Sequence, residues 1–200
     1  MTLLAKLLER IAGDLTNAGA SFALVGGLAV GIRTAPRFTT DIDLAIAVSN
    51  DKEAEDVIGY LIRYGYRPVA EIDHDLPGRL ATMRLVEPGA QFDGSDSCPV
   101  ADIICATCGI EREAVKSATQ TRIFPKIVLP TAQIPHLIAM KVVAESDVRT
   151  QDRTDIIALI ASASDEELVR VPHLLDLIIN RGFSRGKDLH TVYQQFLVRR

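Results

Sequence analysis

The segment Thr39-Thr40-Asp41-Ile42-Asp43-Leu44, downstream of the pair Gly26-Gly27, sets the strongest constraint on how this chain folds. A strand turns successive side chains to opposite faces, so Asp41 and Asp43 project together while Ile42, Leu44 and Ile46 take the buried face. Two carboxylates are thereby held side by side on a rigid element with an apolar backing, a platform suited to a divalent cation. Upstream, SFALVGGLAV reads as a short apolar strand, a glycine turn and the start of a helix. The unpaired N–H groups and positive dipole end of such a helix suit a phosphate, and Gly26 and Gly27 carry no Cβ to keep it from the backbone. Alone, the glycine pair is an ordinary turn and the acidic alternation a solvated strand edge. Together, in this order, they bring a metal to a phosphate.

The apolar periodicity around them predicts an α/β (α+β) fold. Leu4, Leu8, Ile11 and Leu15 recur at helical spacing, giving an amphipathic helix that ends between Asn17 and Gly19. A strand over Phe22–Val25, a helix to about Ile32, a loop holding Pro36 and a strand over Asp41–Ala47 follow. Ser49 or Asn50 caps a helix through Ala54, Val57, Ile58, Leu61 and Ile62. Strands are predicted over Gly65–Glu71 and Arg79–Val86, joined by His74–Gly78, and residues 87–99 form a loop whose acids do not match a calcium-loop spacing. Val100–Cys105 is a nearly uniform apolar run, the mark of a central strand, and holds one charged residue, Asp102. A buried carboxylate needs a partner, and an arginine or a backbone cap would serve. From Gly109 the pattern turns helical, passes a strand-like IFPKIVLP, and is helical from residue 132 onward. A mixed sheet flanked by helices is expected over residues 1–130, followed by a helical bundle over 131–200 that packs on it.

Composition narrows the classes. With 48% hydrophobic and 24% charged residues among 200, the chain is an ordinary globular protein and neither disordered nor fibrous. MTLLAKLLERIAGDL is interrupted by Lys6, Glu9, Arg10 and Asp14, so it reads as an amphipathic helix and not a signal peptide. No apolar run approaches the ~20 residues that span a bilayer, and a cytoplasmic location without membrane contact is the expectation. The formal net charge of -4 argues against a protein that coats nucleic acid through a global positive field, though a local basic groove remains compatible. Three cysteines form no closed disulfide set. Cys105 and Cys108 make a CxxC, yet zinc needs two further ligands and no histidine lies near in sequence, so they read as small buried residues. No GKT or GKS follows the glycines, which counts against a P-loop kinase or GTPase.

If Asp41, Asp43 and Asp102 converge to ~4 Å, each pair repels by ~4 kcal/mol at an effective dielectric of ~20. Such a cluster gathers either divalent cations or shared protons, and hard oxygen donors select Mg2+ or Mn2+. Arg33 and Arg37 precede the metal strand and offer planar donor forks to phosphate, or form a solvated basic loop; Thr40 serves as a phosphate ligand or as strand entry. In TAQIPHLIAMKVVAE, Lys141 falls on the stripe of Ile134, Leu137, Ile138 and Val142. In the next helix Asp152 shares a face with Ile156, Leu159 and Ile160, with Arg149 one turn earlier. Lys141 and Asp152 either pair with each other or line a cleft facing a nucleotide.

The strand, GG turn and helix before a DxD strand resemble the signature of the DNA polymerase beta-like nucleotidyltransferase superfamily. LIAMKVVAE followed by VRTQDRTDIIALI resembles the lysine and RxxRDxxD motifs of AbiEii-type nucleotidyltransferase toxins, and the resemblance extends from about Phe22 to Ile160. Gln151 departs from it by standing where a basic residue is usual. The resemblance implies a metal-dependent transfer of a nucleoside monophosphate from an NTP to a hydroxyl acceptor. Asp41 and Asp43 would hold two ions, Asp102 would hold one and help deprotonate the acceptor, Lys141 would contact the nucleotide, and Asp152 would orient that lysine or the acceptor. It implies a tRNA end or a protein side chain as acceptor and a cognate antitoxin as partner. Small antibiotic-modifying relatives and an inactive nucleotide-binding module share the same core pattern.

Overall fold

The computed structural model of the protein describes residues 2–72, 80–92, 98–146, 148 and 150–198. Helix α1 (Leu3–Asn17) begins where the Thr2 hydroxyl accepts a hydrogen bond from the Ala5 N–H at 3.2 Å, which satisfies one of the amides a first turn leaves unpaired. Its stripe of Leu7, Leu8, Ile11 and Leu15 is buried. Strand β1 (Phe22–Val25) passes directly into α2 (Gly26–Arg33), a change of direction made at Gly26 with φ 61°. Strand β2 (Asp41–Ile46) keeps the predicted alternation, with Ile42, Leu44 and Ile46 fully buried and Asp41 and Asp43 half-buried.

Asn50 caps α3 (Asp51–Arg63), its side-chain oxygen accepting from the Glu53 N–H at 3.0 Å. Strands β3 (Arg67–Ile72), β4 (Thr82–Val86) and β5 (Val100–Ile104) and helix α4 (Glu111–Lys116) follow. The predicted connection His74–Gly78 and the strand start at Arg79 lie outside the described residues. IFPKIVLP, which reads as one strand, lies in a hairpin of β6 (Thr119–Phe124) and β7 (Ile127–Thr131), turning at Pro125 and Lys126. Helices α5 (Ile134–Ala144), α6 (Thr150–Ser162), α7 (Asp165–Asn180) and α8 (Leu189–Leu197) complete the described chain. Pro172 inside α7 has no N–H to give to the Leu168 carbonyl, and the Tyr193 hydroxyl of α8 donates to that oxygen at 3.5 Å.

The strand order is β3-β4-β5-β2-β1-β7-β6, with β2/β5 and β1/β7 parallel and the remaining neighbours antiparallel. This is the mixed sheet flanked by helices that the periodicity predicts. One apolar core runs from Ala5 in α1 to Phe196 in α8, and α5 packs on α2 as well as on α6, α7 and α8. The core therefore continues across residue 130, where the sequence suggests a boundary. Cys105 and Cys108 are buried free thiols; burial, reinforced by Glu111, pushes Cys105 up to about 12 and Cys108 well above its usual range. No described helix is long and apolar enough to cross a membrane.

Leu44 is fully buried on the face of β2 opposite the acids. Replacing it with alanine should lower the unfolding free energy by about 2–5 kcal/mol in urea denaturation, and a loss below about 1 kcal/mol would show that this face is not a packed core.

Candidate active site

Strand register builds the site. Val25, Asp43, Asp102 and Arg84 lie on one rung across β1, β2, β5 and β4, and residues paired across neighbouring strands share a face of the sheet. Asp41, two residues from Asp43, joins the same face. The sheet thus gathers the three acids expected from the sequence and adds an arginine that the sequence analysis did not single out.

Asp43 stands against the start of α2. Its Oδ2 accepts from the Gly27 N–H at 3.4 Å, and a Cβ on Gly26 would overlap the carboxylate. A Cβ on Gly27 would meet Arg37 in the same way. Asp102 is 6% exposed and is held by both arms of the Arg84 fork, Nε to Oδ1 at 2.8 Å and Nη2 to Oδ2 at 2.7 Å. The same Nη2 reaches Asp41 Oδ2 at 3.5 Å, and Thr40 donates to Asp41 Oδ1 at 3.0 Å. Burial, then the charge of Asp102, pushes the Asp43 carboxyl up to about 6; Asp41 adds to this, while Lys141 and the Gly27 amide oppose it. Arg84 is raised above its usual value, chiefly by its hydrogen bonds to Asp102.

A second cluster faces the rung from the helical half. Lys141 Nζ lies 2.6 Å from Asp152 Oδ1 and 2.9 Å from Asp155 Oδ2. Asp155 is 1% exposed and also receives Arg37 Nη2 at 3.1 Å and Gln151 Nε2 at 3.0 Å. Burial alone would lower the Lys141 ammonium, but the two aspartates outweigh it and hold the group above its usual value. Lys141 and Asp152 therefore do pair, and they also line a common cleft. Asp155 went unassigned in the sequence although it follows Asp152 by three residues on one helix face, the spacing at which side chains meet.

A cleft of ≈ 480 Å³ joins the two clusters, lined by Gly26, Asp43, Arg84, Asp102, Lys141 and Asp152. Arg185 and Lys187, from the connection between α7 and α8, line it too. Arg185 donates to the Thr107 carbonyl, and Lys187 to the Val143 and Glu145 carbonyls. A larger hollow of ≈ 820 Å³ near Ser49, Arg112 and Arg181 contains none of these acids. Arg33 points to the β6–β7 hairpin, donating to Ala132 O at 3.0 Å, Thr131 O at 2.9 Å and Thr119 Oγ1 at 2.7 Å. Arg149 lies outside the described residues.

Among the described residues, no three acid, histidine or cysteine side chains are spaced to hold one metal ion. Arg84 is the physical reason on the rung, since it takes both oxygens of Asp102. The chemistry of Asp41 and Asp43 fits a hard divalent ion, and burial makes the Asp43 carboxylate costly to hold without a counter-charge.

Because its folded value of about 6 exceeds the ordinary 3.8, Asp43 contributes stability that is complete below the ordinary value and lost as pH rises through the folded one. Asp43→Asn should therefore stabilise the protein without metal by about 1–3 kcal/mol at pH ~7.5 and leave it unchanged at pH ~3.5. Chemical denaturation at the two pH values checks this, and an equal effect at both would contradict it.

The family described as nucleotidyl transferase AbiEii toxin, type IV TA system, matches residues 7–197. No curated protein matches the sequence. The crystal structure of an antigenic nucleotidyltransferase-like protein from Paracoccidioides brasiliensis is similar over 96% of this chain and 92% of its own, with 18% identity and a TM-score of 0.54. That of ANT(2'')-Ia in complex with adenylyl-2''-tobramycin is similar over 90% of this chain and 99% of its own, with 16% identity and a TM-score of 0.55. At these identities the likeness is one of fold. The family match takes in the rung, the lysine cluster and the cleft between them, and the chain belongs to the AbiEii nucleotidyltransferase toxin family.

Proposed function

We propose that this enzyme moves a nucleoside monophosphate from an NTP to a hydroxyl at the end of a tRNA, releasing pyrophosphate. The observation that carries the proposal is the meeting, in one cleft, of the acid rung, the N-terminus of α2 and Lys141. The positive dipole end of α2 opens onto the cleft at Gly26 and favours the triphosphate there, while the missing side chains of Gly26 and Gly27 leave room for Asp43 and Arg37. Lys141, kept protonated by Asp152 and Asp155, acts as a cation toward phosphate and not as a base. The acceptor hydroxyl gives its proton to solvent as its oxygen attacks the α-phosphorus and the bond to the bridging oxygen of the β-phosphate breaks, releasing pyrophosphate. A magnesium or manganese ion on Asp41 and Asp43 would supply positive charge to the phosphate oxygens.

Family membership supports a cognate antitoxin partner, and Arg185 and Lys187 add cations to the side of the cleft across from the acids, which favours an anionic acceptor such as RNA. ANT(2'')-Ia, whose structure holds an adenylylated tobramycin, makes a small-molecule acceptor the second reading.

Incubation with each α-labelled NTP, Mg2+ and a cell extract, followed by separation of RNA, protein and small molecules, tests the proposal. Label should enter RNA of tRNA size, and Lys141→Met should reduce transfer by roughly a hundredfold or more, the loss expected for removing one electrostatic stabiliser. Label confined to a small product would overturn the acceptor, and no label in any fraction would favour an inactive binding module.

A further inference from the structure

The acid rung ends in a cation of the chain's own. Arg84 is paired in register with Asp102, binds both its oxygens, and leans toward Asp41 at 3.5 Å. A planar fork on a carboxylate is the strongest ordinary arrangement of these two groups, and Asp102 is almost wholly buried beneath it. A divalent ion seated between Asp41 and Asp102 would have to break that pair and leave a guanidinium displaced.

The charges agree with this. Lys141 bridges Asp152 and Asp155, and Arg37 adds a second cation to Asp155, so these cations are engaged by acids of α6. On the rung, Asp41, Asp43 and Asp102 face one guanidinium, which leaves two negative charges, the complement of a single divalent cation. Arg185 and Lys187 lie across the cleft on backbone carbonyls. With 30% of its side chain exposed, Arg84 keeps surface on the cleft for an anionic group.

We propose that Arg84 takes the place of a second metal ion: Asp41 and Asp43 hold one divalent cation, and the guanidinium anchored on Asp102 supplies the other positive charge to the bound phosphates. Asp102 is then a positioning residue for Arg84 and not a metal ligand. The inference rests on the nucleotidyl-transfer reading of the cleft.

Electron paramagnetic resonance of Mn2+ added to the protein without nucleotide tests it. The wild type should bind one ion per chain. Arg84→Met, which frees Asp102, should bind a second ion or hold the first at least about tenfold more tightly. Arg84→Met combined with Asp102→Asn should return to wild-type binding, and Arg84→Lys should keep a single ion. Two ions on the wild type would overturn the inference by itself, whatever the folding of the variants, as would an unchanged affinity in a folded Arg84→Met. Absence of any bound Mn2+ would overturn it together with the metal site, while label transfer tests the proposed reaction separately.

Discussion

Parallel pairing of β2 with β5 sets Asp43 beside Asp102, and the rest of the site answers to that juxtaposition. Both strands are central, and β5 is buried from Val100 to Ile103, so neither acid can move away to relieve the repulsion. The structure meets it by three routes. Arg84 closes on Asp102 from β4, the start of α2 offers the Gly27 amide to Asp43, and Lys141 approaches from the helical half. These leave Asp43 the least satisfied of the three, which is the property a cation site needs before its ion arrives.

The lysine cluster extends this logic across the chain. Arg37 from the loop before β2, Lys141 from α5, and Asp152 and Asp155 from α6 form a mostly buried set that ties the helical half to the sheet at the cleft. Removing one member would leave its partners uncompensated, so the set fixes the helices relative to the rung as well as holding Lys141 charged. Family membership covers sheet and helices together, in keeping with a site built from both.

What could be seen in the sequence was what repeats locally. The two-residue period of Asp41–Ile46, the glycine turn and the lone charge in Val100–Cys105 each carry their meaning within a few residues, and the structure places those elements as the pattern predicts. Arg84 was missed because its role depends on the β4–β5 register, which no local period reveals, although Thr82 and Arg84 alternate toward one face. Arg33 sits where a phosphate ligand is plausible in sequence, but its donors reach carbonyls at the end of β7, part of a hairpin that the sequence presents as a single strand. Asp155 lay within reach of helix periodicity and went unassigned because Asp152 alone accounted for Lys141.

Asp43 is the strained carboxylate of the rung, and a carbon-13 NMR titration of its side chain in the metal-free protein measures that directly. It should titrate at about 6, and Asp102→Asn should move it toward the ordinary value of 3.8. A titration near the ordinary value in the wild type would contradict this, because neither burial nor the neighbouring acids would then penalise a charge that a cation is needed to relieve.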